Sequence, residues 1–435
     1  MDEEAPPRRA VARLSRPQLP RPVIRLLQML GLPAQEIARY WSDEARSIRS
    51  SAGALGIGLV ATLIAGVVLG AARGQITEHP GLLVLIPAAI GMRGSIYGAL
   101  AARLSTGILT GQFEPALVRR SFLGRQIEAS TLLTVTTSVE AGTLAWGVSR
   151  LFGWQTIPLL DLVAVSLVAG LLSSAVLLGV TVSLARRSLA RDWSMDDVGA
   201  PTITATGDLI TLPALLVATY LLRVEPIAIA IGSLGLAGAV VAAVRGVRIG
   251  EPTIRRIIRE SLVVLTVSVT LQVLAGGVIE SRVDQWLVVP ALLVMIPPFV
   301  ANCGSLGGML ASRLASKLHV GLLEPKVFPG KLAGLDFSLT FLLALLAFVG
   351  VGGVGWLAAL LAGLDPPALS SLVLTSVVGG LMATVALALV AYGAATATFR
   401  FGLDPDNHGI PIVTASMDLL GILCLVAAIG LTKVG

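Results

Sequence analysis

Charge is scarce in this sequence. Only 13% of its 435 residues are Asp, Glu, Lys or Arg, against roughly 25% in soluble domains. The deficit runs along the whole chain. A soluble protein with a very large core would need charged surface segments between its apolar runs, and here those segments are too short, so the composition reads as a polytopic membrane protein. Cysteine is almost missing: Cys303 and Cys424 both fall in apolar segments. That excludes a disulfide framework and a thiol-only metal site, and leaves two small buried hydrophobes. Histidine is limited to His79, His319 and His408, all near segment edges, and no HExxH, P-loop or GxSxG occurs. Without a mid-span His, an intramembrane enzyme lacks its base or its ligands, so no enzyme activity and no organic cofactor are expected. Aromatics make up 5% of the chain, and none lies between Pro201 and Leu212 or between Pro411 and Leu423. An organic-cation carrier would want aromatic walls there for cation–π contact.

Long apolar runs are abundant. Eleven segments approach the ~20 residues that cross a bilayer: 51–72, 81–102, 127–149, 157–185, 199–222, 226–244, 260–280, 288–312, 335–361, 367–396 and 409–432. The sixth, rich in Gly and Ala, is the shortest. With the N-terminus in the cytoplasm, 26 of the 32 Lys and Arg fall on the inner side and five on the outer, while Arg93 lies within a segment. The positive-inside rule thus predicts an N-in, C-out protein of the plasma membrane. The net charge of +6 follows this topology and is no sign of nucleic-acid binding. Residues 1–50 carry nine Arg and precede the first apolar segment, so no cleavable signal peptide is expected. This tail is expected to be disordered or to hold a short interfacial helix at 23–30, VIRLLQML.

The chain also repeats itself. IPAAIGMRGSIYGALAARLS, 86–105, aligns with IPPFVANCGSLGGMLASRLAS, 296–316, so that Pro87, Gly94, Ser95, Gly98 and Arg103 meet Pro297, Gly304, Ser305, Gly308 and Arg313. DDVGAPTITATGD, 196–208, aligns with DNHGIPIVTASMD, 406–418, pairing Asp196 with Asp406, Pro201 with Pro411, Thr204 with Thr414 and Asp208 with Asp418. Every pair is 210 residues apart, without a gap between blocks. Each repeat holds five spans, and the sixth segment restores parity between them. The expected fold is therefore all-α, with about eleven spans: two parallel five-helix repeats related by a pseudo-twofold axis along the membrane normal. The expected divisions are the tail 1–50, a first repeat 51–222, a linker span and cytoplasmic loop 223–259, and a second repeat 260–435.

Ionisable residues inside a span are costly and mark function or a partner. Of Arg93, Glu140, Asp161, Asp208, Asp336 and Asp418, only Asp208 and Asp418 are matched at the 210-residue offset. Asp208 lies nine residues beyond Gly199, about 14 Å along a helix and near the middle of a ~30 Å core. Two carboxylates on symmetric helices supply charge but few direct ligands. That suits Mg2+, which keeps several of its waters and takes one or two carboxylates. Thr204 and Thr414, one turn before each Asp, would hold those waters, and Pro201 and Pro411 would free backbone carbonyls. The alternative is a structural Asp that is protonated or paired with Arg. In the second spans, the glycines of GMRGS and NCGS either let helices approach closely or break a helix. Gly94, Ser95, Asn302, Gly304 and Ser305 are the wall residues of the pathway reading. Asp196, Asp197, Asp406 and Asn407 precede the Asp-bearing spans, as helix caps or as a cytoplasmic cation vestibule.

These blocks resemble the solute carrier 41 / MgtE family of magnesium transporters. The residues that carry the resemblance are 92–107, 303–316, 196–212 and 404–421, the last two matching the family's fifth-helix pattern D-x-x-x-x-P-x-x-(T/S)-x-x-x-D. The duplicated layout is similar to the solute carrier 41 branch. The resemblance implies a divalent-cation pathway between the halves, with Asp208 and Asp418 at its centre and Mg2+ as the transported ion. Ser95 and Ser305 stand where the family usually has Asn. The large cytoplasmic domains of MgtE proteins have no counterpart in the short tail and loops. Expected partners are the lipid bilayer and a divalent cation, Mg2+ before Mn2+, Co2+ or Ca2+, with Na+ or H+ as coupling ion if the protein is an exchanger rather than a channel. The single chain would act as a pseudo-dimer.

Overall fold

The computed structural model describes residues 33–114, 118, 121–191, 195–248, 251–403 and 408–434, and their regular structure is all helical. The chain opens with a short helix, α1 (Ala34–Asp43), then the long α2 (Ala45–Ala71) and the short α3 (Arg73–Glu78). Four long helices follow: α4 (Leu82–Leu109), α5 (Phe122–Leu151), α6 (Leu159–Arg191) and α7 (Met195–Thr219). After α8 (Glu225–Arg248) comes a second series: α9 (Pro252–Glu280), α10 (Val283–Val288), α11 (Pro290–His319), α12 (Lys331–Leu361), α13 (Leu369–Phe401) and α14 (Ile410–Thr432). The 210-residue offset recurs in the backbone. α3 and α10, and likewise α6 and α13, have bounds 210 apart. α4 and α11 both end on a left-handed glycine, Gly111 (φ 69°) and Gly321 (φ 78°), the conformation that lets the last carbonyls of a helix be capped.

Among the described residues ten helices are long and apolar enough to cross a membrane: α2, α4, α6, α7, α8, α9 and α11 to α14. The weak sixth segment is one of them, as α8. The expected span at 127–149 is the exception. It folds as α5, 30 residues long, but Gln126, Glu128, Glu140 and a series of Ser and Thr leave it less apolar than the ten. It packs in the same bundle, against α4, α6, α8 and α9.

The first long helix of each series is shared with the other series. α2 packs on α7 of its own series and on α11 and α12 of the other, while α9 packs on α14 of its own and on α4 and α5 of the other. The closest approaches are reciprocal. Gly66 of α2 lies against the backbone of Val294 in α11, and Gly276 of α9 lies against the backbone of Val84 in α4. Residue i of one half meets j of the other, and j's twin meets i's twin, as in an isologous interface. Small residues permit this approach in lipid, where packing rather than hydrophobicity holds helices together.

Of the stretch 1–50, expected to be disordered or to hold an interfacial helix at 23–30, the residues from Ala34 onward are helical, and the segment 23–30 lies outside the described residues. α2 begins six residues before the expected span, and α1 is bolted to the second half. Ile37 of α1 is buried beside Trp41 and Leu335. Trp41 Nε1 donates to Ser338 Oγ at 3.1 Å, and Tyr40 donates its hydroxyl to Asp336 at 2.6 Å. Lys317 Nζ reaches both oxygens of Asp336 at 2.8 and 2.7 Å, and Arg313 bonds Glu44 and Ser47. Burial, and then the bond to Asp336, push the Tyr40 phenol well above its usual range, so it stays a donor through neutral and alkaline pH. Removing a buried partner leaves the other charge uncompensated. Asp336→Ala is therefore expected to destabilise the protein by about 3 kcal/mol, and Tyr40→Phe by about 1 kcal/mol. Thermal unfolding in detergent measures both, and an unchanged midpoint in Asp336→Ala would show that the latch holds nothing.

Candidate cation site

Asp208 on α7 and Asp418 on α14 are both half-buried. Their surroundings differ. Asp418 Oδ2 accepts from Gln272 Nε2 of α9 at 2.9 Å. A Cβ at Gly304 of α11 would sit 3.8 Å from Asp418 Oδ1 and 3.8 Å from Thr414 Cβ, so Gly304, Thr414 and Asp418 form one wall. Thr414 Oγ1 donates to the Pro411 carbonyl at 3.0 Å, and that carbonyl also receives Ser268 Oγ at 3.5 Å. In the first half, Asp208 makes no hydrogen bond or ion pair among the described residues, Thr204 is exposed, and no atom lies within 4 Å of a Cβ at Gly94.

The second-span glycines do not break their helices: α4 runs unbroken through 91–95 and α11 through 302–305. Gly91 instead makes room for the Gln272 side chain. Ser95 Oγ turns back to the Gly91 carbonyl at 3.2 Å, the buried Asn302 donates to Pro298 O at 2.8 Å, and Ser305 is exposed. Asp406 and Asn407 lie outside the described residues, and so do the side chains of Asp196, Asp197 and Pro201. Among the described residues no three His, Cys, Asp or Glu side chains gather in one place. What is present there is the charge of two carboxylates and the Thr414 hydroxyl.

The other intramembrane charges stand apart. Asp336 belongs to the α1 latch. Arg93 is fully buried within the first series, its Nη2 on Ser138 Oγ at 2.8 Å and its Nε on Ser173 Oγ at 3.2 Å, with no partner for Nη1 among the described residues. Its twin position holds Cys303, and the twin of Ser138 is Phe348. Both halves leave a glycine under this spot. Gly170 lies against the Arg93 guanidinium and Ser138, and Gly380 lies against the Phe348 ring. A guanidinium from the second helix thus fills in one half the space that an aromatic ring from the third fills in the other. Gln272 is neutral and its twin position holds Thr62, so neither charge nor the repeat singles it out. A polar amide in an otherwise apolar segment was the available signal.

Comparison with known proteins gives the frame for this geometry. A family model described as "MgtE: Divalent cation transporter" matches twice, at 86–218 and 296–428, together more than half the chain. The chain is 26% identical over 375 residues to solute carrier family 41 member 3 of Rattus norvegicus, covering 78% of this chain and 77% of that protein. It is 25% identical over 384 residues to solute carrier family 41 member 2 of Mus musculus, covering 79% and 63%. With member 2 of Homo sapiens the identity is 23% over 388 residues, covering 81% and 63%. No solved structure matches. A model that fits both halves at the offset already seen in the sequence leaves one conclusion: the chain belongs to the MgtE family of divalent cation transporters.

Proposed function

We propose that this protein moves hydrated divalent cations, Mg2+ foremost, along a path between its two halves, with Asp208 and Asp418 supplying the charge at mid-depth. Family membership supports divalent-cation transport at the level of the family. The observation that carries the finer reading is the pair of half-buried span carboxylates on twin helices 210 residues apart, one of them walled by Gly304 and Thr414. Two like charges in a low-dielectric setting repel, and a divalent cation between them relieves both. The repeats are read as parallel about an axis along the membrane normal, with the N-terminus in the cytoplasm, the C-terminus outside and the plasma membrane as the site of action. One chain supplies both carboxylates, so a single copy suffices.

The test is flux into proteoliposomes holding the purified protein. Mg2+ entry is expected under an inside-negative potential, which favours it by ~2.3 kcal/mol per charge per 100 mV, with Mn2+, Co2+ and Ca2+ as competitors. Absence of Mg2+ flux under every imposed gradient, with an organic cation carried instead, would sink the proposal. Flux that needs a Na+ or H+ gradient makes the protein an exchanger, in which the empty carboxylates share a proton or hold the coupling ion.

A further inference from the structure

We propose that Gln272 is part of the cation site and makes its two halves unequal: its amide N–H orients Asp418, and its carbonyl oxygen is an additional acceptor for the water shell of the ion. This rests on the reading of Asp208 and Asp418 as the cation site.

Gln272 sits well inside the span α9 and is 2% exposed. One amide hydrogen is used on Asp418 Oδ2, at 2.9 Å. The carbonyl oxygen Oε1 is buried and has no hydrogen-bond partner among the described residues. An unsatisfied buried acceptor is unfavourable. With one end of the amide held on a carboxylate, Oε1 is kept from turning toward Asp418, because two acceptors repel. The partner that suits it is a donor, and a water carried by a cation bound at Asp418 is such a donor. Gln272 also joins the halves. Its amide lies against α4 at Gly91, where a Cβ would come within 2.9 Å of Oε1 and closer still to Nε2. The same side chain therefore touches α4 of the first series and Asp418 of the second.

The twin crossing shows that helix packing does not require this device. The twin of Gln272 is Thr62, and the twin of Gly91 is Ala301. Thr62 gives its hydroxyl to its own helix, at Gly58 O (2.9 Å) and Leu59 O (3.2 Å), and offers nothing to Asp208. At these twin positions one crossing holds a large polar side chain and a glycine, and the other holds two small residues. One carboxylate is oriented and backed by an amide, and the other is free to follow the ion. An oriented carboxylate with a fixed carbonyl beside it suits an ion whose water shell is rigid. Mg2+ demands near-octahedral geometry, whereas Ca2+ accepts variable ones. Gln272 would then be a positioning residue that favours Mg2+ over Ca2+.

The test variant is the double change Gln272→Thr with Gly91→Ala, which copies the Thr62/Ala301 pair and so packs in a way the protein already tolerates. Gln272→Leu is a second variant with similar volume. Mg2+ and Ca2+ flux in proteoliposomes is compared with wild type, alongside Asp208→Asn and Asp418→Asn. Loss of a hydrogen bond to the water shell is expected to raise KM for Mg2+ about three- to tenfold, with the maximal rate within about twofold and the Mg2+/Ca2+ preference reduced. If both aspartate variants lose flux while the Gln272 variants keep wild-type KM and preference, Gln272 is no part of the site and the aspartate reading stands. A fall in maximal rate alone, with KM unchanged, likewise marks a structural role. If the aspartate variants keep full flux, the site reading fails and this proposal with it.

Discussion

Asp208→Asn and Asp418→Asn are each expected to lower Mg2+ flux in proteoliposomes at least ~30-fold. A divalent ion about 8 Å from a carboxylate gains about 4 kcal/mol at an effective dielectric of about 20. Even half of that gain corresponds to a factor of about 30. The two variants are not equivalent tests. Asp418 accepts a hydrogen bond from Gln272, so its replacement also disturbs a protein contact. Asp208 has no hydrogen bond or ion pair among the described residues, so Asn removes charge and little else. Taking away a span carboxylate without a partner also removes its desolvation penalty. Asp208→Asn should therefore unfold at the wild-type temperature or above it while losing transport. Stability kept or raised together with function lost is the pattern of a group retained for the ion rather than for the fold. Flux within threefold of wild type in a folded Asp208→Asn protein would rule out a central role for this residue.

The sequence made the duplication and the carboxylate pair legible because both are patterns at a fixed offset. The 210-residue spacing survives in the helix bounds and in Gly111 and Gly321. The comparison between repeats also set Arg93 aside, but only the structure supplies the reason. Arg93 and Phe348 come from different helices of their halves, so an alignment of twin positions shows Arg against Cys and Ser against Phe without revealing that each large side chain fills the same space. The exchange of α2 and α9 between the halves was not legible, because segment spacing says nothing about which helix packs on which. α1 lies in an Arg- and Pro-rich stretch whose composition fitted disorder or an interfacial helix at 23–30 equally. Its ten residues are held by tertiary contacts, from Ile37, Tyr40 and Trp41 to Leu335, Asp336 and Ser338, which local sequence does not encode. Gln272 escaped because it is neutral and lacks a twin. Asymmetry within a duplicated protein is a signal in its own right, and a search for sameness passes over it.

Gly66→Ala and Gly276→Ala are expected to be strongly destabilising, and to similar extents. At each position a Cβ would overlap a backbone carbonyl, that of Val294 or of Val84. Backbone cannot swing aside as a side chain can, so the helices must separate along the whole crossing. Overpacking of this kind costs about 1–3 kcal/mol and sometimes more, enough to move thermal unfolding by several degrees. The helix propensity of Ala works the other way, by about 1 kcal/mol. Gly238→Ala on α8 isolates that opposing effect, since no atom of the described residues lies within 4 Å of its Cβ position, and it should leave the midpoint unchanged or raise it. The two crossings are reciprocal parts of one interface, so separating one strains the other less than it would alone. The double variant is thus expected to lose less than the sum of the two singles. If only one glycine proved sensitive, the halves would not meet reciprocally. The pairing of Gln272 with Gly91 on one side and Thr62 with Ala301 on the other would then be a difference between unlike interfaces rather than an asymmetry built into like ones.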